Sequence, residues 1–258
     1  MLVAVVEIGA VAAIVASQCG PVKRKRLERF AALHDLDITL GNGAMVISYL
    51  RTTRRWRAAG FLTGLAVYLL VKVVRGEISL GIGFDYPFLG WYTGAVIAEL
   101  RLRRPHGGDR RPPALLSMPA QFLSILAVAG WVFVLLSAVT DGIQETVTLV
   151  LAAAVALLSV LIQLKLARGP VPGADDDVIR AGLAMRSRSL HVLAVGAPVF
   201  LACAVTKAIS SAGPAQPDTA QISIHLDLYG LFLVLLVVVV WKVATRPHPI
   251  RLHEASAV

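Results

Sequence analysis

Residues 58–74 read Ala-Ala-Gly-Phe-Leu-Thr-Gly-Leu-Ala-Val-Tyr-Leu-Leu-Val-Lys-Val-Val, with Lys72 the one charge among them, directly after Arg51, Arg54, Arg55, Trp56 and Arg57. Hydrocarbon offers no partner for a backbone N–H or C=O. A run of this kind therefore satisfies itself as an α-helix, which needs ~20 mostly apolar residues to cross a bilayer. The arginines at one end mark that end as cytoplasmic, because Lys and Arg are retained on the inner side.

The same pattern recurs along the chain. Of 258 residues 57% are hydrophobic and 16% charged, and the mean hydropathy is +0.72, more than a soluble domain needs to fill its core. Spans are expected at 2–19, 58–74, 80–100, 113–139, 147–166, 190–209 and 228–243. The expected fold is an all-α polytopic bundle of about seven spans, one integral membrane domain over residues 1–258, with the N-terminus outside and the C-terminus cytoplasmic. Under this topology 22 of the 25 Lys and Arg residues fall on the cytoplasmic side, and Lys72, Arg75 and Lys207 stand at outer span ends. The apolar opening reads as a retained first span, since Lys23, Arg24, Lys25 and Arg26 follow it, the reverse of a signal peptide's charge order. The third span is the most irregular, because Asp85 and Pro87 interrupt it.

Two cytoplasmic segments are expected. Residues 20–57 form a basic loop in which Asp35 or Asp37 caps a turn, Asn42-Gly43 makes a break, and Met45, Val46, Tyr49 and Leu50 form an apolar stripe suited to an interfacial helix. Residues 169–189 form the second loop, where Asp175, Asp176 and Asp177 suit a helix N-terminus rather than a metal. The net charge of +9 sits in short clusters between apolar segments, which points to the lipid bilayer, and to anionic lipid or a protein partner at the basic loops, rather than to nucleic acid.

Ionisable groups inside spans are the best pointers to function, because a lone charge in hydrocarbon is costly. Glu7 is expected to pair with Lys72 or Lys207. Asp85, Tyr86, Trp91 and Tyr92 lie in an aromatic, glycine-rich segment that suits either an outer interfacial belt or an outer ligand groove. Glu99 is expected to meet water or the nearby Arg101, Arg103 and Arg104. Gly60 and Gly64, with Gly90, Gly94 and Ala98, have the small-xxx-small spacing that lets two helix backbones approach, and predict an antiparallel hairpin of the second and third spans.

No HExxH pair, nucleophile elbow, phosphate loop or dinucleotide fingerprint occurs in the sequence, so no catalytic, metal or cofactor residue is assigned. The arginine-rich, Ala- and Val-rich style looks like membrane proteins of GC-rich bacteria, which makes a bacterial cytoplasmic membrane the expected location. The expected role is a non-enzymatic membrane subunit or scaffold of a larger complex. The alternative is a small-solute or ion transporter with a pathway near Glu7 and Asp85.

Overall fold

The computed structural model describes residues 20–74, 85–102, 146–169 and 175–212, with single helical positions at 125, 129 and 132. The described residues are all-helical: α1 (Arg24–His34), α2 (Gly43–Val74), α3 (Asp85–Arg101), α4 (Thr146–Arg168) and α5 (Asp176–Ala212).

α2 runs unbroken for 32 residues. The sequence suggests a surface helix around residues 45–50 and a separate span from 58. The structure joins them, because the intervening residues 51–57 contain neither glycine nor proline to end a helix. The apolar stripe also faces inward: Val46, Tyr49 and Leu50 are buried with Phe30, Leu36, Ala181, Ala184 and Met185, and Met45 lies at the edge of this cluster. It holds α1 and the start of α5 against α2.

The turn before α2 is built on polar groups. α1 ends at Asp35 in the left-handed region (φ 48°), where its N–H reaches the Ala31 carbonyl. Aspartate is among the few side chains that tolerate this conformation. Asn42 is fully buried; its Oδ1 accepts the Thr39 N–H at 3.0 Å, and its Nδ2 donates to the carbonyls of Asp37 at 2.8 Å and Asp177 at 3.5 Å. One side chain thus closes the turn and fastens it to the first turn of α5.

α3 begins at Asp85, so Pro87 lies in its first turn, where the missing N–H has no intrahelical partner to lose. α2 and α3 cross backbone to backbone. A Cβ on Gly60 would stand 2.1 Å from the Gly90 carbonyl oxygen, and one on Gly90 2.2 Å from that of Gly60. Gly64 meets the Tyr86 carbonyl and Gly94 the Trp56 carbonyl at 2.2 and 2.3 Å in the same construction. Rising numbers on α2 face falling numbers on α3, which makes the pair antiparallel. Tyr68 and Tyr86 bracket the crossing on one side (ring centroids 6.0 Å apart), and Trp56 under the Arg101 guanidinium (5.5 Å) brackets it on the other.

α5 runs for 37 residues from Asp176 and Asp177, whose carboxylates suit the positive end of the helix dipole. The helix therefore starts well inside the stretch that the sequence marks as loop 169–189. It packs with α3 and α4 around Tyr92, Val96, Ile162, Leu166, Leu190 and Phe200. Among the described residues, α2 is the one helix long and apolar enough to cross a membrane, and just 17% of its most apolar window is buried. A helix filling a soluble core would bury most of that window.

Gly60→Ala or Gly90→Ala pushes a methyl against backbone that has no rotamer to yield. Each is expected to lower stability by about 1–3 kcal/mol in a denaturant titration in detergent. Gly41→Ala, whose Cβ meets Thr39 Oγ1 at an ordinary 3.7 Å, is expected to be near neutral. Equal behaviour of all three variants would remove the glycine crossing as the cause.

Candidate functional site

The most distinctive arrangement is a chain of buried polar groups that ties three helices together near the start of α2. Tyr49 projects from α2, Ser189 from α5 and Glu99 from α3, and all three are buried, Glu99 being 8% exposed. The Ser189 hydroxyl donates to Glu99 Oε1 at 2.7 Å. That hydroxyl has a single proton, so at the 3.0 Å contact between Tyr49 and Ser189 the phenol is the donor. The result is a directed line, Tyr49 to Ser189 to Glu99. Thr53, one turn beyond Tyr49, returns its hydroxyl to the Tyr49 carbonyl at 2.9 Å.

Arg57 and Arg188 lie near Tyr49 in this line. Arg57 interacts electrostatically with both Glu99 and Tyr49, and its guanidinium carbon lies 5.6 Å above the Trp91 ring. Arg188 covers the Phe30 ring at 5.6 Å, and Arg186, buried in α5, donates to the Gly169 carbonyl at 2.6 Å. His191, also buried, has Nδ1 2.7 Å from the Ser187 carbonyl; a carbonyl accepts only, so Nδ1 carries the proton. His34 of α1 is 7% exposed, and its Nδ1 has no hydrogen-bond partner among the described residues. Burial first, then the charges of Arg188 and His191, lower its pKa to about 4.

A second polar junction lies where α3, α4 and α5 meet. Tyr92 is completely buried, with its hydroxyl 2.7 Å from Ser159 Oγ on α4 and 2.9 Å from the Leu193 carbonyl on α5. The phenol proton goes to the carbonyl, which can only accept, and Ser159 is then the donor to the phenol oxygen. The ring stacks near Phe200 (4.8 Å) and lies on Gly196, where an added Cβ would approach it to 2.6 Å. Pro198, inside α5, lacks the N–H that would reach the Ala194 carbonyl, and the Tyr92 hydroxyl binds the carbonyl next to it.

The sequence-derived candidates are distributed as follows. Gly60, Gly64, Gly90 and Gly94 meet at the crossing of α2 and α3, and Ala98 is fully buried on α3. Tyr86 and Trp91 are partly buried toward Tyr68 and Arg57 respectively. Tyr92 points elsewhere, into the α4–α5 junction, since adjacent residues on a helix are about 100° apart. Trp91 packs at the edge of the cluster that contains Tyr92, Tyr86 lies beside Tyr68, and the Asp85 side chain lies outside the described residues. Glu7 and the Lys207 side chain lie outside them as well, and the Lys72 ammonium stands 5.1 Å from the Tyr68 ring centroid.

Tyr49, which the sequence places in the apolar stripe, and Ser189, which no motif marks, carry the buried line to Glu99, with Arg57 beside it. Glu99, the one acid in the second half of α3, was the available signal. Its bond to Ser189, ninety residues away, has no local signature. Among the described residues no three or more His, Cys, Asp or Glu side chains gather as metal ligands would. No protein family, curated protein or solved structure matches the chain.

Glu99→Gln keeps an acceptor for Ser189, whereas Glu99→Leu leaves two buried hydroxyls without their terminal acceptor. The leucine variant is expected to lose about 1–3 kcal/mol more stability than the glutamine one, read by unfolding in detergent. A larger loss with glutamine would overturn the acceptor role.

His34 sets a pH dependence of definite sign. The unfolded histidine takes up a proton near pH 6.5 and the folded one near 4, so the unfolded chain binds more protons between those values. Its contribution is complete above pH 6.5 and falls by up to about 3 kcal/mol as pH drops toward 4. His34→Leu is expected to flatten that part of the stability profile; an unchanged profile would show that other groups control it.

Proposed function

We propose that this chain is a multi-pass helical protein of a bacterial cytoplasmic membrane, with about seven spans, its N-terminus outside and its C-terminus inside. In this reading it serves as a non-enzymatic subunit or scaffold of a larger complex. The observation that carries the membrane part is where polarity lies along the apolar helices. Leu69, Leu70 and Val73 of α2, and Leu157, Leu161 and Leu164 of α4, are exposed. Tyr49, Tyr92, Glu99, Ser159 and Ser189 are buried and hydrogen-bonded. Such an arrangement suits a hydrocarbon solvent, in which polar groups must be satisfied within the protein. α4 supports the same reading, because Lys165 and Arg168, its two charges, both fall in its last turn.

The scaffold role rests on how the polar groups are used. Buried hydroxyls and carboxylate bond helix to helix, which fixes relative positions, and the basic end offers a charged surface to a partner or to lipid.

Single cysteines in a background lacking Cys19 and Cys203 test the topology. Glu77→Cys, Asp141→Cys and Asp218→Cys are expected to react with an impermeant maleimide on intact cells. Glu28→Cys, Gly107→Cys, Asp175→Cys and Glu254→Cys are expected to react only after permeabilisation, and external labelling at 254 would overturn the orientation. Native sizing in mild detergent tests the role. A stoichiometric larger complex is expected, while the chain alone conducting a solute in proteoliposomes would replace the scaffold reading with a transporter.

A further inference from the structure

Lys23, Lys25, Arg26 and Arg29 at the start of α1 and Arg54 of α2 line an open cleft of about 200 Å³. Five cations converge from two elements, and the described residues that line the space are all basic. The geometry points to a binding site for the phosphate of an anionic phospholipid headgroup.

Three features of the cleft support this. First, α1 starts the wrong way round for its dipole. Its first turn contains no acid, its N-cap Lys23 makes no side-chain cap bond, and three of the lining cations sit at or before that turn. The first N–H groups of a helix lack intrahelical partners, and the dipole places partial positive charge there. Cations added to that end repel it, and a phosphate reverses the cost. Secondly, the one acid of α1, Glu28, is used outside the cleft, bound to the exposed Arg24 at 2.7 Å. Thirdly, the walls are fastened together, since Arg54 Nη1 reaches the Pro21 carbonyl at 3.5 Å. The crowding is also visible at Arg26, whose pKa is lowered by burial and then by Arg54, Arg188 and Arg29.

The choice of a lipid phosphate over a free one comes from position. Arg54 lies four residues before Ala58, where the apolar part of α2 begins. At 1.5 Å per residue this is about 6 Å, which sets the cleft at headgroup level. This step rests on the reading that α2 crosses the membrane. The inner leaflet is the anionic one, and basic residues next to a span gain affinity from it.

The test uses the full chain in an uncharged detergent, with binding read by native mass spectrometry and by thermal shift. The ligands are phosphatidylglycerol, phosphatidylcholine and inorganic phosphate. Phosphatidylglycerol is expected to bind and stabilise, phosphatidylcholine to do neither, and inorganic phosphate to compete weakly. Each lining cation lost removes a charge-assisted bond, so Arg26→Gln with Arg54→Gln is expected to weaken phosphatidylglycerol binding about tenfold or more. Lys23→Gln with Lys25→Gln, both exposed, is expected to do the same if the arginine pair disturbs folding. Arg51→Gln, an exposed cation of α2 outside the cleft, is expected to stay within about twofold of the unaltered chain. Equal loss with Arg51→Gln would replace the cleft with diffuse surface charge and overturn the proposal. So would equal binding of the two lipids. Phosphate binding as tight as phosphatidylglycerol would assign the cleft to free phosphate and overturn the lipid. Failure of the membrane reading is distinguishable, because the chain would then stay monodisperse without detergent.

Discussion

The contact between the α2 and α3 backbones constrains everything else in the described structure. With Gly60, Gly64, Gly90 and Gly94 in the seam, each helix lies against the other's carbonyl oxygens, and even one methyl group has no space. The glycines let the two helices come close enough for backbone-to-backbone packing to contribute directly to their association. The approach also fixes direction and register. Trp56 meets Arg101, and Tyr68 meets Tyr86, because those positions lie on either side of the crossing.

On this hairpin the remaining helices are held by two apolar clusters, and α2, α3, α4 and α5 are further tied by hydrogen bonds of buried side chains. α5 is joined to α3 twice, through Ser189 with Glu99 at one level and the Leu193 carbonyl with Tyr92 at another. α2 enters through Tyr49, and α4 through Ser159. Such bonds are directional, so they select one arrangement among many that would bury similar apolar area. Each is also costly to break, because the groups left behind would be buried and unsatisfied. The Tyr92 junction shows a further economy: Gly196 makes room for the ring, and Pro198 leaves α5 one donor short on the turn that the tyrosine hydroxyl joins.

The basic end has a different character. There α1 is a short helix held by Phe30 and the Asn42 turn, and four cations at its start line a cleft together with Arg54 of α2. Charge is concentrated where the long apolar helix begins, which joins the topological signal of the arginines to a place where an anion would be stabilised. The buried His34, whose pKa is lowered by burial and by Arg188, belongs to the same layer and makes the packing of α1 onto the bundle sensitive to acid.

Much of this was written in local sequence. Helical character follows from apolar runs without breakers, and the four-residue spacing of Gly60 with Gly64 and of Gly90 with Gly94 puts each pair on one helical face, whatever the rest of the chain does. The acids at Asp176 and Asp177 and the break at Asn42-Gly43 are equally local signals, readable from dipole and turn chemistry. Two things were settled only in three dimensions. The stripe of Val46, Tyr49 and Leu50 has the same pattern whether it meets lipid, a partner or its own chain, and it meets α1 and α5. Glu99 is flanked in sequence by arginines, yet its hydroxyl donor comes from Ser189 on a distant helix. Periodicity defines the face on which a side chain lies, but the identity of the facing surface depends on how separate helices pack, and that information is shared among residues far apart in the chain.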